Sequence, residues 1–209
     1  MRRFAVLLSL CALLTPMAAW ASGINITNTG GSVTFSDSGI ASYGSELKSW
    51  NNITAGKGHS LGTVQFSTGA WTSGSLWAGG TLSAAGSSFD VTGVGQWAKK
   101  LTRQSKNPIT LFAGSFVGPI DWTLDSHTKY EYIFTLSGNL SGTLYTGRTV
   151  TGTTSQTIYA FTDQEPYDHK GSLHMGSGHF NTPEPGTLGL LGVGLILLAG
   201  MMRRKIHHA

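Results

Sequence analysis

Hydrophobic and polar residues alternate along much of the chain. The clearest stretch is 129–136, where aromatic and aliphatic side chains occupy every second position and polar ones the positions between. A period of two with aromatic residues on one side is typical of a half-buried β-strand. The sequence Ser-Gly-Asn at 137–139 predicts a turn, after which 140–145 returns as the next strand. Residues 156–162 repeat the alternation and predict another strand.

Shorter stretches with the same character are separated by Gly- and Ser-rich turn signals. They predict further strands at 32–35, 62–67, 75–82, 89–93, 109–113 and 120–124. One stretch, 96–104, instead spaces Trp97 and Leu101 four apart and predicts one or two helical turns. Many short strands at close intervals indicate an all-β protein, and we expect one antiparallel β-sandwich or jelly-roll-like domain.

The N-terminus has the features of a secretory signal peptide at 1–21. Met1-Arg2-Arg3 is a short positive region, 4–14 is apolar apart from one serine, and Ala19 and Ala21 are the small residues that signal peptidase reads. Cleavage after Ala21 would remove Cys11, the one cysteine of the chain. The mature protein would therefore contain neither a disulfide nor a reactive thiol.

The C-terminus has the features of a membrane anchor. Residues 186–202 contain no charged side chain, and their length corresponds to a helix of about 25 Å, which is at the short limit for spanning a bilayer. Arg203, Arg204 and Lys205 follow directly. Basic clusters stay on the cytoplasmic side, so we expect a single transmembrane helix in the inner membrane with the rest of the chain outside the cytoplasm.

The same segment resembles a known sorting signal. Pro183, Glu184 and Pro185, then the apolar stretch, then the basic cluster have the order, spacing and terminal position of the PEP-CTERM motif of Gram-negative bacteria. The resemblance implies recognition and processing by an exosortase, and an association with exopolysaccharide-producing, biofilm-forming bacteria. The terminal segment also occurs on some ice-binding proteins, but it is an address and carries no ice-binding chemistry.

These features divide the chain into four parts. The signal peptide covers 1–21, and a β-rich exported domain covers 22–165. Residues 166–182 contain few apolar side chains and predict a polar stalk. The sorting signal covers 183–209, with a basic tail at 203–209.

Composition and charge describe the exported part further. The net charge of the chain is +4, but 22–182 contains nine Lys or Arg and nine Asp or Glu, so the excess lies at the two ends and gives no reason to expect a nucleic-acid partner. Gly, Ser and Thr dominate this part of the chain, and its Ala and Leu are too few for a helical bundle.

Two patterns suggest catalysis or metal binding. Gly58-His59-Ser60-Leu61-Gly62 matches the nucleophile motif of lipases, which needs a strand before it and a helix after it, whereas a strand is predicted to follow. We therefore expect a β-turn. His169, His174 and His179 recur every five residues, which places successive side chains on opposite faces of a strand. We expect them to be solvated, with no metal and no other cofactor.

Two further groups of residues are candidates for glycan contact. Lys99, Lys100, Arg103 and Lys106 form a run of bases that either contacts anionic polysaccharide or lipid headgroups or is a solvated loop. Five tryptophans either stack on sugar rings or fill the core of the domain: Trp50, Trp71, Trp77, Trp97 and Trp122.

The sequence therefore predicts a non-enzymatic, exported protein of the cell surface or extracellular matrix. Its expected partners are signal peptidase, an exosortase, the inner membrane and a polysaccharide. A carbohydrate-binding module that uses exposed tryptophans is the first alternative. A secreted hydrolase with converging acid, base or nucleophile is the second.

Overall fold

Antiparallel strands account for most of the described part of the chain. The computed structural model describes residues 23–105, 107–128, 131–161 and 172–182, within which Asn25–Thr182 forms one compact unit. The strands are β1 (Asn25–Thr29), β2 (Ser32–Ser36), β3 (Gly39–Trp50), β4 (Ile53–Thr54), β5 (Gly62–Ser67), β6 (Trp71–Ser75), β7 (Gly79–Leu82), β8 (Ser88–Gly93), β9 (Ile109–His127), β10 (Glu131–Leu144), β11 (Thr149–Phe161) and β12 (Ser172–Asn181). A helix, α1 (Gly95–Thr102), lies between β8 and β9.

Eight of these strands form a closed ring. Their order is β10-β11-β12-β1-β3-β5-β8-β9, and the ring closes because β9 also pairs with β10. The all-β prediction is confirmed, but the single closed barrel replaces the expected sandwich or jelly roll. The physical reason is that β9 pairs with β10, from the pair Phe112 and Leu144 to the pair His127 and Tyr132. This pairing closes the sheet on itself, so the sheet does not divide into two layers.

Aromatic side chains fill the interior of the ring. Phe66, Phe89, Phe112, Phe116 and Phe180 have neighbouring ring centroids 5.0–6.4 Å apart. All five are at most 3% exposed. An eight-stranded barrel is just wide enough for side chains to fill it, and this one is filled by rings.

Glycines on β10 make room for these rings. A Cβ on Gly138 would lie 2.9 Å from Cδ1 of Phe116, and one on Gly142 would lie 2.6 Å from Cζ of Phe112. The turn predicted at 137–139 is therefore wrong: β10 continues through it, and its glycine serves close packing. The chain turns instead at Leu144–Arg148, where the Leu144 amide donates to the Arg148 carbonyl over 2.9 Å.

The predicted polar stalk is wrong from residue 172 onward. Ser172–Asn181 forms β12, which pairs with β1 on one side and β11 on the other and so belongs to the ring. Leu173, Met175 and Phe180 face the interior and are at most 4% exposed. The strand was missed because its inward position Gly178 has no side chain and so carries no hydrophobic signal.

A group of polar side chains also lies inside the ring. The Asn28 amide donates to Ser45 Oγ (2.8 Å) and to Gln156 Oε1 (3.0 Å). The Gln156 amide donates in turn to Thr154 Oγ1 (2.8 Å), and that hydroxyl donates to the His179 carbonyl (2.8 Å). These bonds satisfy groups whose burial would otherwise be costly, and they link β1, β3, β11 and β12.

Many outward positions of the strands carry hydroxyl-bearing residues. The hydroxyls of Thr63 and Thr92 share a hydrogen bond of 2.7 Å across β5 and β8, and those of Ser67 and Ser88 share one of 2.9 Å. Thr143 and Thr149 are opposite one another on β10 and β11. Many of the Ser and Thr residues therefore lie on the outer surface of the barrel.

Helix α1 and the β6–β7 hairpin lie outside the ring. The helix predicted at 96–104 is confirmed as α1. The strand predicted at 75–82 is instead the turn and second strand of the β6–β7 hairpin, which extends the sheet beyond β9. The Trp122 indole donates to the Leu76 carbonyl over 2.6 Å and fixes this hairpin to β9.

The predicted terminal segments lie outside the described residues. They are the signal peptide at 1–21 and the sorting signal at 183–209, with its transmembrane helix at 186–202. Over the residues that the structure describes, no helix is both long and apolar enough to cross a membrane.

Candidate functional site

The chain enters and leaves the barrel at the same end. Asn25, the first residue of β1, pairs with Asn181, the last residue of β12, and Ile26 pairs with Trp50 at the end of β3. Three connections also lie at this end because the strands alternate in direction. They are 51–61 between β3 and β5, 94–108 between β8 and β9, and 145–148 between β10 and β11.

These three connections carry most of the described basic residues. Lys57 is on the first, Lys99, Lys100 and Arg103 are on the second, and Arg148 is on the third. Lys99 is half-buried, and the other four are exposed. We call this surface the basic end; Lys106, the fourth member of the predicted run, belongs to the same connection but lies outside the described residues.

The 94–108 connection is held against the barrel by its own side chains. The Trp97 indole donates to the Leu61 carbonyl over 3.0 Å, and the Gly95 amide donates to Asn107 Oδ1 over 3.2 Å. Ala98 is fully buried. The bases of α1 are therefore presented from an anchored helix and not from a free loop.

Carboxylates are placed at the opposite end of the barrel. Asp37 lies in the β2–β3 turn, Asp121 and Asp125 lie on the far half of β9, and Glu131 begins β10. Toward the basic end the described residues contain two acids: Glu46, which forms an ion pair with Lys48, and Asp90 on β8, which pairs with Ala113 in the near half of β9. Among the described residues, Lys57, Lys100 and Arg103 have no carboxylate within ion-pair distance.

The tryptophans that were candidates for glycan contact lie at least partly inside the protein. Trp50 and Trp122 are 2% and 1% exposed, which excludes them as surface platforms. Trp71, Trp77 and Trp97 are half-buried. Trp77 packs edge-on against Tyr132 with ring centroids 5.2 Å apart, and Trp71 packs against Trp122 at 6.4 Å.

The most exposed aromatic group was missed from the sequence. Phe161 is 61% exposed at the end of β11, its ring stacks on Tyr159 at 6.3 Å, and it lies 5.9 Å from the ring of His174 on β12. The outward alternation of Tyr159 and Phe161 was visible, but the partner on β12 was not, because that strand was read as a stalk.

The lipase-like motif forms a turn and not a nucleophile elbow. The His59 amide donates to the Gly56 carbonyl over 3.0 Å, as in a β-turn, and the strand β5 follows at Gly62. The Ser60 hydroxyl donates to the Gly62 carbonyl and accepts from the Gly62 amide at 3.1 Å. Its hydrogen-bonding capacity therefore stabilises the turn.

Two of the recurring histidines lie on one face of β12, contrary to the expectation of opposite faces. His174 and His179 are both exposed, because a bulge between the pairs Gln156–Gly178 and Ile158–Met175 adds one residue to the spacing. His169 lies outside the described residues. Within the described ranges, no group of three or more His, Cys, Asp and Glu side chains could hold a metal ion.

Asp90 is a described carboxylate whose ionisation is affected by its surroundings. It lies on β8 between Gln65 and Ala113 of the flanking strands. Partial burial raises the pKa of this carboxyl above its ordinary value of 3.8. Because the folded pKa is the higher one, ionised Asp90 opposes folding; this cost is absent below the unfolded pKa and complete above the folded pKa.

The residues predicted to direct sorting lie outside the described part of the chain. They are Ala19 and Ala21, the Pro183–Pro185 motif, and the basic cluster Arg203–Lys205. Comparison with known proteins is therefore the independent evidence on this segment. No curated protein and no solved structure matches the chain. Residues 181–205, however, match the family model of the PEP-CTERM protein-sorting motif, so the chain carries the C-terminal signal of proteins that an exosortase recognises.

Proposed function

We propose that the protein is a non-enzymatic component of the cell surface or extracellular matrix of a Gram-negative bacterium, delivered through its PEP-CTERM signal. The observation that carries this proposal is the match of 181–205 to the sorting motif. The signal peptide at the other end directs export, and the apolar stretch 186–202 holds the body at the outer side of the inner membrane until exosortase acts.

Two features of the body support a role without catalysis. The hydroxyl of Ser60, the serine in a nucleophile-like motif, is engaged by the backbone of Gly62. The barrel interior is filled by phenylalanine rings and a hydrogen-bonded polar group instead of forming a cleft lined by acids and bases. The body then serves the exopolysaccharide layer as a stable, neutral, hydroxyl-covered particle.

The test follows the body in cells with and without exosortase. With the enzyme, the body loses its C-terminal segment and appears at the surface or in the medium; without it, the longer chain stays with the inner membrane. Glu184→Ala, inside the motif, reproduces the second result, whereas Glu165→Ala, outside it, does not. Equal size and location in both strains would defeat the proposal. The association with the matrix is tested separately in a strain that makes no exopolysaccharide. There we expect the body to be lost from the cell surface into the medium.

A second candidate function is glycan binding, favoured by the exposed aromatic surface of Phe161, Tyr159 and His174. Exposed aromatic rings stack on the apolar faces of sugars, and these three rings lie within 5.9–6.3 Å of their neighbours on one outer wall. On a glycan array, the Phe161→Ala variant should bind at least about tenfold more weakly than the unsubstituted protein. The control variant Trp97→Phe, changed at a half-buried residue, should bind as the unsubstituted protein does. Unchanged glycan binding by the Phe161→Ala variant would exclude this surface as the glycan-binding site.

A further inference from the structure

We propose that the basic end is a docking surface for anionic lipid headgroups, and that it holds the barrel upright on the membrane while the chain is anchored. The inference rests on the proposed function, because it requires the apolar stretch 186–202 to be in a bilayer. It adds a partner and an orientation for the body, neither of which follows from the sorting motif.

Basic residues from three separate connections lie at the same end of the barrel. The bases of the run at 99–103 are joined at the basic end by Lys57 and Arg148, which are 42 and 45 positions away in sequence from the nearest member of that run. Three separate connections therefore present one positive surface. Arg103 and Lys57 have no acidic partner among the described residues, so their charge remains available to an external anion.

Only a short length of chain separates the basic end from the apolar stretch 186–202. β12 ends at Asn181 on the basic end, and the apolar stretch begins at Gly186. Five Cα–Cα steps span at most about 18 Å, so the end of β12 cannot be farther than that from the start of the membrane-embedded stretch. The carboxylates Asp37, Asp125 and Glu131 are at the far end of the barrel, away from the surface to which the chain is tied.

The attraction between the basic residues and an anionic bilayer is strong enough for docking. A basic residue near an anionic bilayer favours the surface about fivefold, and the exposed Lys57, Lys100 and Arg103 act together here. The short tether keeps the surface at a high effective concentration, so docking needs no further contact. An acidic polysaccharide offers the same charge, but nothing ties it to this end of the barrel. The lipid surface is therefore the occupant that the geometry favours.

The experiment uses the full chain with Cys11→Ser and one introduced cysteine, reconstituted into sealed vesicles. Ser105→Cys places a fluorophore at the basic end, and Ser126→Cys places it at the far end of β9. A membrane-impermeant dye labels only the bodies that face outward. Energy transfer to a headgroup-labelled lipid is then compared between phosphatidylcholine vesicles and vesicles that contain about 30% phosphatidylglycerol, an anionic lipid.

Docking predicts more transfer from position 105 in the anionic vesicles than in the neutral ones, and no such gain from position 126. High salt should abolish the gain, because it screens exposed charges. Lys57→Gln, Lys100→Gln and Arg103→Asn together should lower the ratio of docked to undocked bodies roughly a hundredfold. The matched control, Asp37→Asn with Asp121→Asn, should keep the gain. Circular dichroism of each variant reports its folding, and the salt titration of the unsubstituted surface tests docking without any charge variant.

The outcomes separate the two proposals. Chains that fail to float with either kind of vesicle would overturn both the anchor and the docking. Chains that float with both kinds, but show equal transfer from position 105 in each, would overturn docking alone. If the triple variant loses retention on alginate but keeps its transfer in anionic vesicles, the basic end is a polysaccharide site and the membrane is the wrong partner.

Discussion

At the scale of single residues, glycine does more in this protein than permit turns. Gly142 on β10 pairs with Gly114 on β9, and a Cβ there would lie 2.5 Å from the Ala113 carbonyl oxygen and 2.5 Å from Cα of Gly114. Gly152 has the same role beside Phe180, whose Cε2 would be 2.7 Å from an added Cβ. These glycines are thus a consequence of placing large rings inside a narrow ring of strands.

Gly142→Ala should destabilise the body by about 1–3 kcal/mol, the usual cost of overpacking a filled interior. Backbone atoms crowd the new methyl group, so rotation of a side chain cannot relieve the clash. Urea unfolding followed by tryptophan fluorescence measures the change. Gly56→Ala is the control, since its Cβ would be 3.6 Å from the His59 ring, an ordinary contact. Equal stability of the two variants would contradict this account of the interior.

At the scale of elements, local patterns predicted some strands and failed for others. β5 matches its predicted bounds, Gly62–Ser67, because apolar and polar residues alternate there without interruption. β10 was divided at Gly138 because Ser-Gly-Asn is a turn signal, while the contact with Phe116 that requires a glycine comes from a distant strand. β12 was missed because the polar interior at Gln156 and Gly178 removes the hydrophobic alternation that marks a strand.

The position of β12 in the ring predicts how the chain responds to shortening. A chain ending after Thr182 retains β12 and should unfold in one cooperative transition, because all eight strands of the ring are present. A chain ending after residue 171 leaves β1 and β11 without their common partner and should lose its cooperative transition.

Thermal unfolding followed by circular dichroism distinguishes the two shortened chains. The longer one also serves as the control for removal of the sorting signal. If the chain ending at 171 melted at the same temperature as the longer chain, β12 would be dispensable and the ring would not depend on it.

At the scale of the whole molecule, topology sorts charges that the sequence presents as balanced. Nine basic and nine acidic residues in 22–182 give a neutral body, so net charge alone indicates no binding face. The alternating direction of the strands places Lys57, Arg103 and Arg148 at one end and Asp37 and Glu131 at the other. Such a separation depends on which loops share an end, and that requires the strand order, which local sequence patterns do not contain.

The same topology explains which parts of the candidate site were predictable. The sorting motif is read from adjacent residues, and its prediction agrees with the family match at 181–205. The run Lys99, Lys100 and Arg103 was also visible, since its members are neighbours in sequence. The contribution of Lys57 and Arg148 was not, because Lys57 reaches that surface through the pairing of β5 with β8, and Arg148 through the pairing of β9 with β10.

The position of β12 also determines how the body carries mechanical load. A body tethered through its C-terminus receives tension at Asn181, and that tension passes into a strand bonded on both sides, to β1 and to β11. A pull between this point and the far end of the barrel runs along β12, so the hydrogen bonds to both neighbours resist together in shear. A pull between the two chain ends instead separates Asn25 from Asn181 first and opens the pair one bond at a time. We therefore expect the barrel to resist a force along its axis better than a force that pulls Asn25 and Asn181 apart.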